Sequence, residues 1–469
     1  MKGQELADQD KLRKAEKNWP QIVAVLVACL SSLTSGLFLA WPSPFILKIT
    51  QDKENYAISE DQASYFTIFN VVGLIVFPPF LTIFNIPDVI GRKPTIMLTA
   101  IPHIISWILI AFCTNLYLLY LARFTSGLGD ALVFASLPVY IGEITTPKVR
   151  GIWGNGLICS IFLGQFLMNA IGSYCNVQET SFICLTVPVI LVVALTFIPE
   201  SPYFYVMTGK DERAEKSLQK LRGIDDIEKE LLQLKAAVER QMSETGTWKD
   251  LVMVRSNRRA LVALVFLRFS QVTSGIFVFA SYMQFIFDKA GGEIEPGVSS
   301  MIYMGLTFII YSGGTYVCDK FGRKKSYMIS MALSGLVLLS ESTFFYIDKY
   351  YPAFIIESIT WFPLAGLIIF IIFSSFGIGT IPTLMLGELF SANIKSKGVS
   401  IISIVFGLTV ITLNYIFYFL NSYTGLFGPF LLFGCCNIVS AILTEFLVPE
   451  TKGKSLEEIQ LALKGMNET

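Results

Sequence analysis

The chain has 469 residues, 53% of them hydrophobic and 15% charged, with 36 basic against 36 acidic side chains. Soluble domains carry about 25% charged residues, so the composition points to lipid as the solvent, and zero net charge offers nothing to nucleic acid. A single histidine, the lack of a phosphate-cradling glycine loop and the lack of a nucleophile motif argue against an enzyme, a metal centre or a bound cofactor.

A basic arm, residues 1–20, opens the chain with Lys2, Lys11, Arg13, Lys14 and Lys17. Crossing a bilayer takes about 20 apolar residues. Windows of that kind fall near 21–46, 63–85, 95–114, 117–141, 152–174 and 181–199. A second set falls near 259–288, 299–318, 327–346, 359–387, 398–420 and 425–447. The pattern predicts an all-α membrane protein with twelve spans, arranged as one six-helix bundle over 21–199 and a second over 259–447. Residues 200–258 form a linker and residues 448–469 a tail. The first apolar stretch is too long, and follows too polar an arm, to be a cleaved signal peptide.

Basic residues occupy alternate connections: Arg92 and Lys93, Lys148 and Arg150, the linker, Lys320 to Lys325, Lys395 and Lys397, and Lys452 and Lys454. Intervening loops are short or acidic, with Asp52, Glu54, Glu60 and Asp61 in the first. The bias places both termini in the cytoplasm, and the plasma membrane is the expected location. In the linker, Ile227, Leu231, Leu234, Val238 and Met242 recur at helical spacing, which predicts an amphipathic helix acting as a latch or as a passive connector. The cysteines lie mostly inside spans without metal spacing, and Cys175 and Cys184 are not expected to form a disulfide. A lone histidine in a span, His103, reads as packing. Asn467-Glu468-Thr469 falls on the cytoplasmic side, so N-glycosylation is not expected.

Three charged motifs occur twice in the same order. Asp88-Val89-Ile90-Gly91-Arg92-Lys93 returns as Asp319-Lys320-Phe321-Gly322-Arg323-Lys324. Glu143 with Arg150 returns as Glu388 with Lys395, and Pro199-Glu200-Ser201 as Pro449-Glu450-Thr451. With Arg123-x-x-x-Gly127, Pro138-Val139-Tyr140-x-x-Glu143, Gln271-x-x-Ser274-Gly275-Ile276 and the run from Val448 to Ile459, these motifs resemble the sugar porter family of the major facilitator superfamily. The style of the chain is similar to insect trehalose and hexose facilitators. The resemblance implies two pseudo-symmetric bundles that alternate access around a central site.

Each Asp-x-x-Gly-Arg-Lys turn needs glycine for a tight reversal, and arginine offers a fork to carboxylates. Asp88, Arg92, Glu143, Arg150 and Glu200 are expected to form one network, and Asp319, Arg323, Glu388, Lys395 and Glu450 another. Formed, the networks would close the cytoplasmic side; they would break as the carrier faces inward. Val89 replaces the arginine usual in the family, so the first network is expected to be the weaker.

Amides and aromatic faces recognise a sugar. The resemblance implies a substrate set of Gln271, Ser274, Phe277, Tyr282, Thr383 and Asn414. Several family contacts are replaced: a second glutamine by Val272, an asparagine by Phe277, a fifth-span glutamine by Ile158, a tryptophan by Thr383 and an Asn-Trp pair by Phe406-Gly407. Losing three hydrogen bonds at about 1 kcal/mol each would weaken glucose binding roughly a hundredfold if nothing replaced them. A different ligand, substitution by Asn70, Asn155, Gln165 or Asn414, and a sensing role all stay open.

Intramembrane charges are functional hypotheses by default, and three stand out: Arg123, Asp130 and Arg268. Proton-coupled members of the family carry an acid in the first span, but Ser35 to Pro42 contains none, which favours facilitated diffusion. Asp130, two turns from Arg123, is expected to neutralise Arg123 or Arg268, either as a switching partner or as a static pair; a proton-coupling role is the further alternative. The expected function is facilitative transport of a hexose or trehalose-like disaccharide. The alternatives are a proton-coupled or polyol-like carrier and a transporter-like sensor. The expected partners are the small solute and the bilayer, with oligomeric state open.

Overall fold

The computed structural model describes residues 17–243, 247–292, 294–313, 322–351, 360–390, 394–452 and 456–464; Asp319 and the Asn467 sequon lie outside them. The first half contains Trp19–Ala40 continued by Pro42–Gln51, then Glu60–Ile83, Arg92–Phe112, Leu116–Ile144, Gly156–Tyr174 and Val177–Thr196. The second contains Arg255–Thr273 continued by Ile276–Ala290, then Pro296–Gly313, Arg323–Tyr350, Phe362–Ser375 continued by Ile381–Glu388, Lys395–Thr424 and Phe427–Leu447. Among the described residues, ten helices are long and apolar enough to cross a bilayer. The eighth span and the divided tenth complete the set of twelve. Rows such as Ile101, Ile105, Ile108 and Phe112, or Ile190, Val193 and Phe197, stay exposed on single helix faces, as lipid contact requires.

Spans one, seven and ten are broken. Proline cannot donate to the carbonyl four residues back; Pro42 therefore leaves the carbonyl of Phe38 with only the Trp41 N–H at 3.3 Å, and Pro382 frees that of Ile378. The seventh span breaks at Gly275, whose φ of 90° ends one helix before Ile276 starts the next. Close packing sets the other contacts. A Cβ on Gly127 would overlap the Asn70 carbonyl oxygen, and one on Gly73 the Phe124 carbonyl, so spans two and four meet backbone to backbone.

The linker lies on one face of the molecule, called here the linker face. Its helices are Pro202–Met207, Asp211–Arg222, Glu228–Ser243 and Trp248–Met253. Of the predicted stripe, Ile227 and Val238 are buried, Leu231 and Leu234 half-buried, and Met242 exposed. Arg222 fastens the linker to the first half: Nη1 donates to the Ile144 carbonyl at 2.9 Å while Nη2 pairs with Glu230 at 2.6 Å. The tail helix Leu456–Lys464 docks on the second half, with Ile459 and Leu463 buried and Arg259 Nη1 donating to the Leu463 carbonyl at 2.9 Å.

Candidate functional site

The repeated motifs build two matching junctions on the linker face. Gly91 has φ 108°, and Gly322 has φ 93°. A side chain at either would also collide with a carboxylate, Glu200 in one case and Glu450 in the other. Glu200 accepts from the Lys93 N–H at 3.1 Å, and Glu450 from the N–H groups of Arg323 at 3.0 Å and Lys324 at 3.2 Å. Both glutamates therefore cap the positive end of a span instead of pairing with an arginine fork as expected. Burial pushes the Glu200 carboxyl up, and the N–H groups of Ser201 and Lys93 hold it back. The lysines work at the opposite kind of helix end. Lys93 Nζ donates to the Ile198 carbonyl at 2.8 Å, and Lys324 Nζ to the Glu445 carbonyl at 2.7 Å.

The arginines bind the fourth and tenth spans. Arg92 meets Glu143 through Nε at 3.0 Å and Nη2 at 3.0 Å, and pairs with Asp88 at 2.9 Å. Arg323 meets Glu388 at 3.3 Å. Ser201 and Thr451 donate their hydroxyls to the same two glutamates. The Arg–Glu contact of the first half is the closer and the more buried of the two, and Val89 points outward, 68% exposed.

Two expected members are elsewhere. Arg150 does not reach Glu143; it is exposed and donates to the Gly142 carbonyl at 2.6 Å and the Thr145 carbonyl at 3.1 Å, closing the end of span four. Lys395 is exposed and forms no ion pair with Glu388. Arg150→Ala should therefore leave uptake per molecule at the cell surface within about twofold of the parent, as for most surface substitutions. Both junctions also lie within a single half, so they hold each bundle together and do not bridge the two. Bonds between the halves join the far face instead. Tyr282 donates to the Ser64 carbonyl at 3.3 Å, the Gln284 N–H to Ser43 Oγ at 3.2 Å, and Gln284 Nε2 to Ser173 Oγ at 3.0 Å. Both Arg–Glu contacts are thus intact in a structure whose far face is joined by bonds between the halves.

The centre of the molecule is organised around the two carbonyls at the proline breaks. Arg123 Nη1 donates to Phe38 O at 2.9 Å and Nε to Phe66 O at 3.1 Å, with the guanidinium 5.3 Å from the Trp41 ring centre. In the second half Gln271 Nε2 donates to Ile378 O at 2.8 Å. Its Oε1 accepts from Arg268 Nη1 at 2.8 Å. The amide predicted to grasp substrate is occupied at both ends. Ser274 is spent on the Gln271 carbonyl at 2.7 Å, and Phe277 meets Phe406 edge to face at 5.0 Å. Thr383 is exposed, and Asn414 is buried with Nδ2 on the Val410 carbonyl at 2.8 Å and Oδ1 unpartnered. Gln271, Phe277 and Arg268 are brought together; Tyr282, Thr383 and Asn414 stand apart from that group. A cleft of about 420 Å³ on the far face, lined by Glu60, Lys289, Asp348, Lys349 and Tyr418 among others, does not include Gln271.

Asp130 does not contact Arg123 or Arg268. It accepts from Asn70 Nδ2 at 3.0 Å and lies 3.2 Å from His103 Nε2. His103 is therefore more than packing, and sequence reasoning missed it; the signal was a second polar residue at the depth of Asp130. Gly129 leaves the slot its ring fills, and Phe38 stacks on it at 5.2 Å. Glu341 was missed as well. It is fully buried in span nine with neither carboxyl oxygen bonded, against Gly366 of span ten. Among the described residues, no three His, Cys, Asp or Glu side chains gather as a metal site.

Comparison with known proteins bears on these features. A family profile described as sugar (and other) transporter matches residues 24–463. The chain is 32% identical over 458 residues to the facilitated trehalose transporter Tret1 of Polypedilum vanderplanki, covering 95% of this chain and 88% of that one. It is 31% identical over 462 residues to Tret1 of Culex quinquefasciatus, covering 96% and 87%. Tret1 of Drosophila virilis is longer, and the match covers 49% of it. Among solved structures, the inward open conformation of the xylose transporter XylE from E. coli superposes with a TM-score of 0.77 at 19% identity, covering 94% of this chain and 99% of that one. The proton:xylose symporter XylE bound to 6-bromo-6-deoxy-D-glucose superposes with a TM-score of 0.74 at 20% identity, covering 95% and 100%.

Proposed function

The chain belongs to the sugar transporter family of the major facilitator superfamily, and from that premise we propose that it is a facilitative sugar carrier working by alternating access. One observation carries the reading: each half is stapled internally by its own Arg–Glu junction, while bonds between the halves join the far face. Two stiff bodies joined at one end can rock, and the breaks in spans one, seven and ten give the rocking places to bend. The basic connections support a cytoplasmic linker face and cytoplasmic termini, and a solute carrier of this kind would act at the plasma membrane. In this conformation the site would open to the cytoplasm. Arg92, Glu143, Arg323 and Glu388, with Glu200 and Glu450 as caps, keep the bundles rigid. Gln271 and Phe277 lie on the solute path between the halves.

The names of the relatives make trehalose the first solute to test, beside glucose and a polyol. In proteoliposomes, saturable uptake that a protonophore does not change is the expected result. A proton-coupled reading is favoured by one observation, the buried His103–Asp130 pair in the first half. Uptake that follows an imposed pH gradient, and stops following it in Asp130→Asn, would establish that reading over the first.

A further inference from the structure

One positive charge near the middle of the seventh span has no negative partner. Arg268 is half-buried, bonds through Nη1 to Gln271 at 2.8 Å, and lies 5.8 Å from the Phe406 ring centre. Among the described residues no carboxylate pairs with it. Nη1 is the one guanidinium nitrogen for which a hydrogen bond is found among the described residues. The other deep arginine shows how this molecule treats a cation it means to lock away. Arg123 is 1% exposed and bonded to two carbonyls, with the Asp130 carboxylate two turns along the same helix. Arg268 is held at a single nitrogen and has no carboxylate partner among the described residues. An unbalanced charge at this depth is costly unless something anionic visits it.

Its surroundings fit a visitor. Gln271 cannot turn away, because Nε2 is committed to Ile378 O, so Oε1 stays on Arg268 and fixes the guanidinium. Phe277 and Phe406 form an apolar wall beside it. The next residue, Gly407, lies against Ile75 of span two, which sets this group at the boundary between the halves. Val272 and Phe277 bring no polar side chain to this group. The site offers few neutral hydrogen-bonding groups and holds a fork suited to a carboxylate.

We propose that Arg268 is the anion-binding group of the transport site and that the solute carried is a sugar carboxylate, a polyhydroxylated monoanion. One free charge suits a monoanion better than a phosphate dianion, and the two rings would cover the C–H face of the sugar. The inference rests on the carrier reading above and names its substrate class.

The test uses the full chain in proteoliposomes with radiolabelled glucuronate and glucose, measured alone and in competition. The parent should take up glucuronate at least tenfold faster than glucose at equal low concentration, since bonds to a charged group outweigh neutral ones. Arg268→Gln should lower the glucuronate-to-glucose ratio at least tenfold, and Arg268→Lys should keep most of it. Thermal stabilisation of the purified protein by glucuronate, absent in Arg268→Gln, supports the proposal even where flux is low. Uptake of glucose or trehalose without uptake or binding of glucuronate overturns the proposal and leaves the carrier reading standing. An unchanged ratio in Arg268→Gln also overturns it. No uptake and no stabilisation by any of these solutes overturns both.

Discussion

Replacing Arg92 by lysine should cost most of the folded protein. Arg92 is 3% exposed, and its fork spans Glu143 with Nε and Nη2 while Nη1 holds Asp88 at 2.9 Å and the Pro87 carbonyl at 3.1 Å. It also lies against Tyr203 and Phe204, 5.7 Å and 5.6 Å from their ring centres. A lysine ammonium is a point donor and cannot serve two carboxylates and two rings at once. Glu143 would keep the Ser201 hydroxyl and lose the two-point clasp of the fork. Hydrogen bonds to charged groups are worth about 1.5–3 kcal/mol each, so losing two of them removes a large share of the roughly 5–15 kcal/mol that holds a domain folded. Arg323→Lys should be milder, because Arg323 and Glu388 are further apart and more exposed. The check is the monodisperse yield and melting temperature of both variants in detergent, with uptake normalised to surface protein. Equal damage from the two substitutions would mean that the closer contact of the first half carries no extra weight.

Much of this was legible in the sequence, for reasons that differ from residue to residue. The spans followed from apolar length, and the two matching junctions from motifs repeated in order. The partner choices within them did not follow. Arg150 and Glu143 are near in sequence, but Glu143 lies in span four facing span three, while Arg150 lies past its end and reaches only the final carbonyls. Glu200 was readable as a member of the first junction. That it caps a helix end depended on where the chain returns after span six. The prolines of spans one and ten were visible, and so were Arg123 and Gln271. Their pairing with the carbonyls of Phe38 and Ile378 is a fact of three-dimensional neighbourhood. His103 was passed over because a single histidine carries no spacing information. Only the slot at Gly129 and the carboxylate of Asp130 give it a role.

Arg123 offers the second large effect, and a way to measure how two charges that do not touch depend on each other. Arg123→Leu removes the guanidinium from the carbonyls of Phe38 and Phe66, leaving Phe38 O with only the Trp41 N–H at 3.3 Å, and leaves Asp130 with Asn70 and His103. Hydrogen bonds to charged groups are worth about 1.5–3 kcal/mol each. The single substitution should therefore abolish uptake and lower the yield severalfold. Asp130→Asn alone leaves Arg123 clasped by its carbonyls and by Trp41, and should be tolerated better. If Asp130 balances Arg123 through space, the double substitution Arg123→Leu with Asp130→Asn should be more stable than Arg123→Leu alone, with a coupling of about 1–3 kcal/mol. The carbonyl at the break of span one would keep the Trp41 N–H at 3.3 Å but still lack the guanidinium, so stability should return without full transport. Melting temperatures of the four proteins close the cycle. Strict additivity would show that Asp130 answers to His103 and Asn70 alone, and that Arg123 is stabilised entirely by the carbonyls of Phe38 and Phe66 and the ring of Trp41.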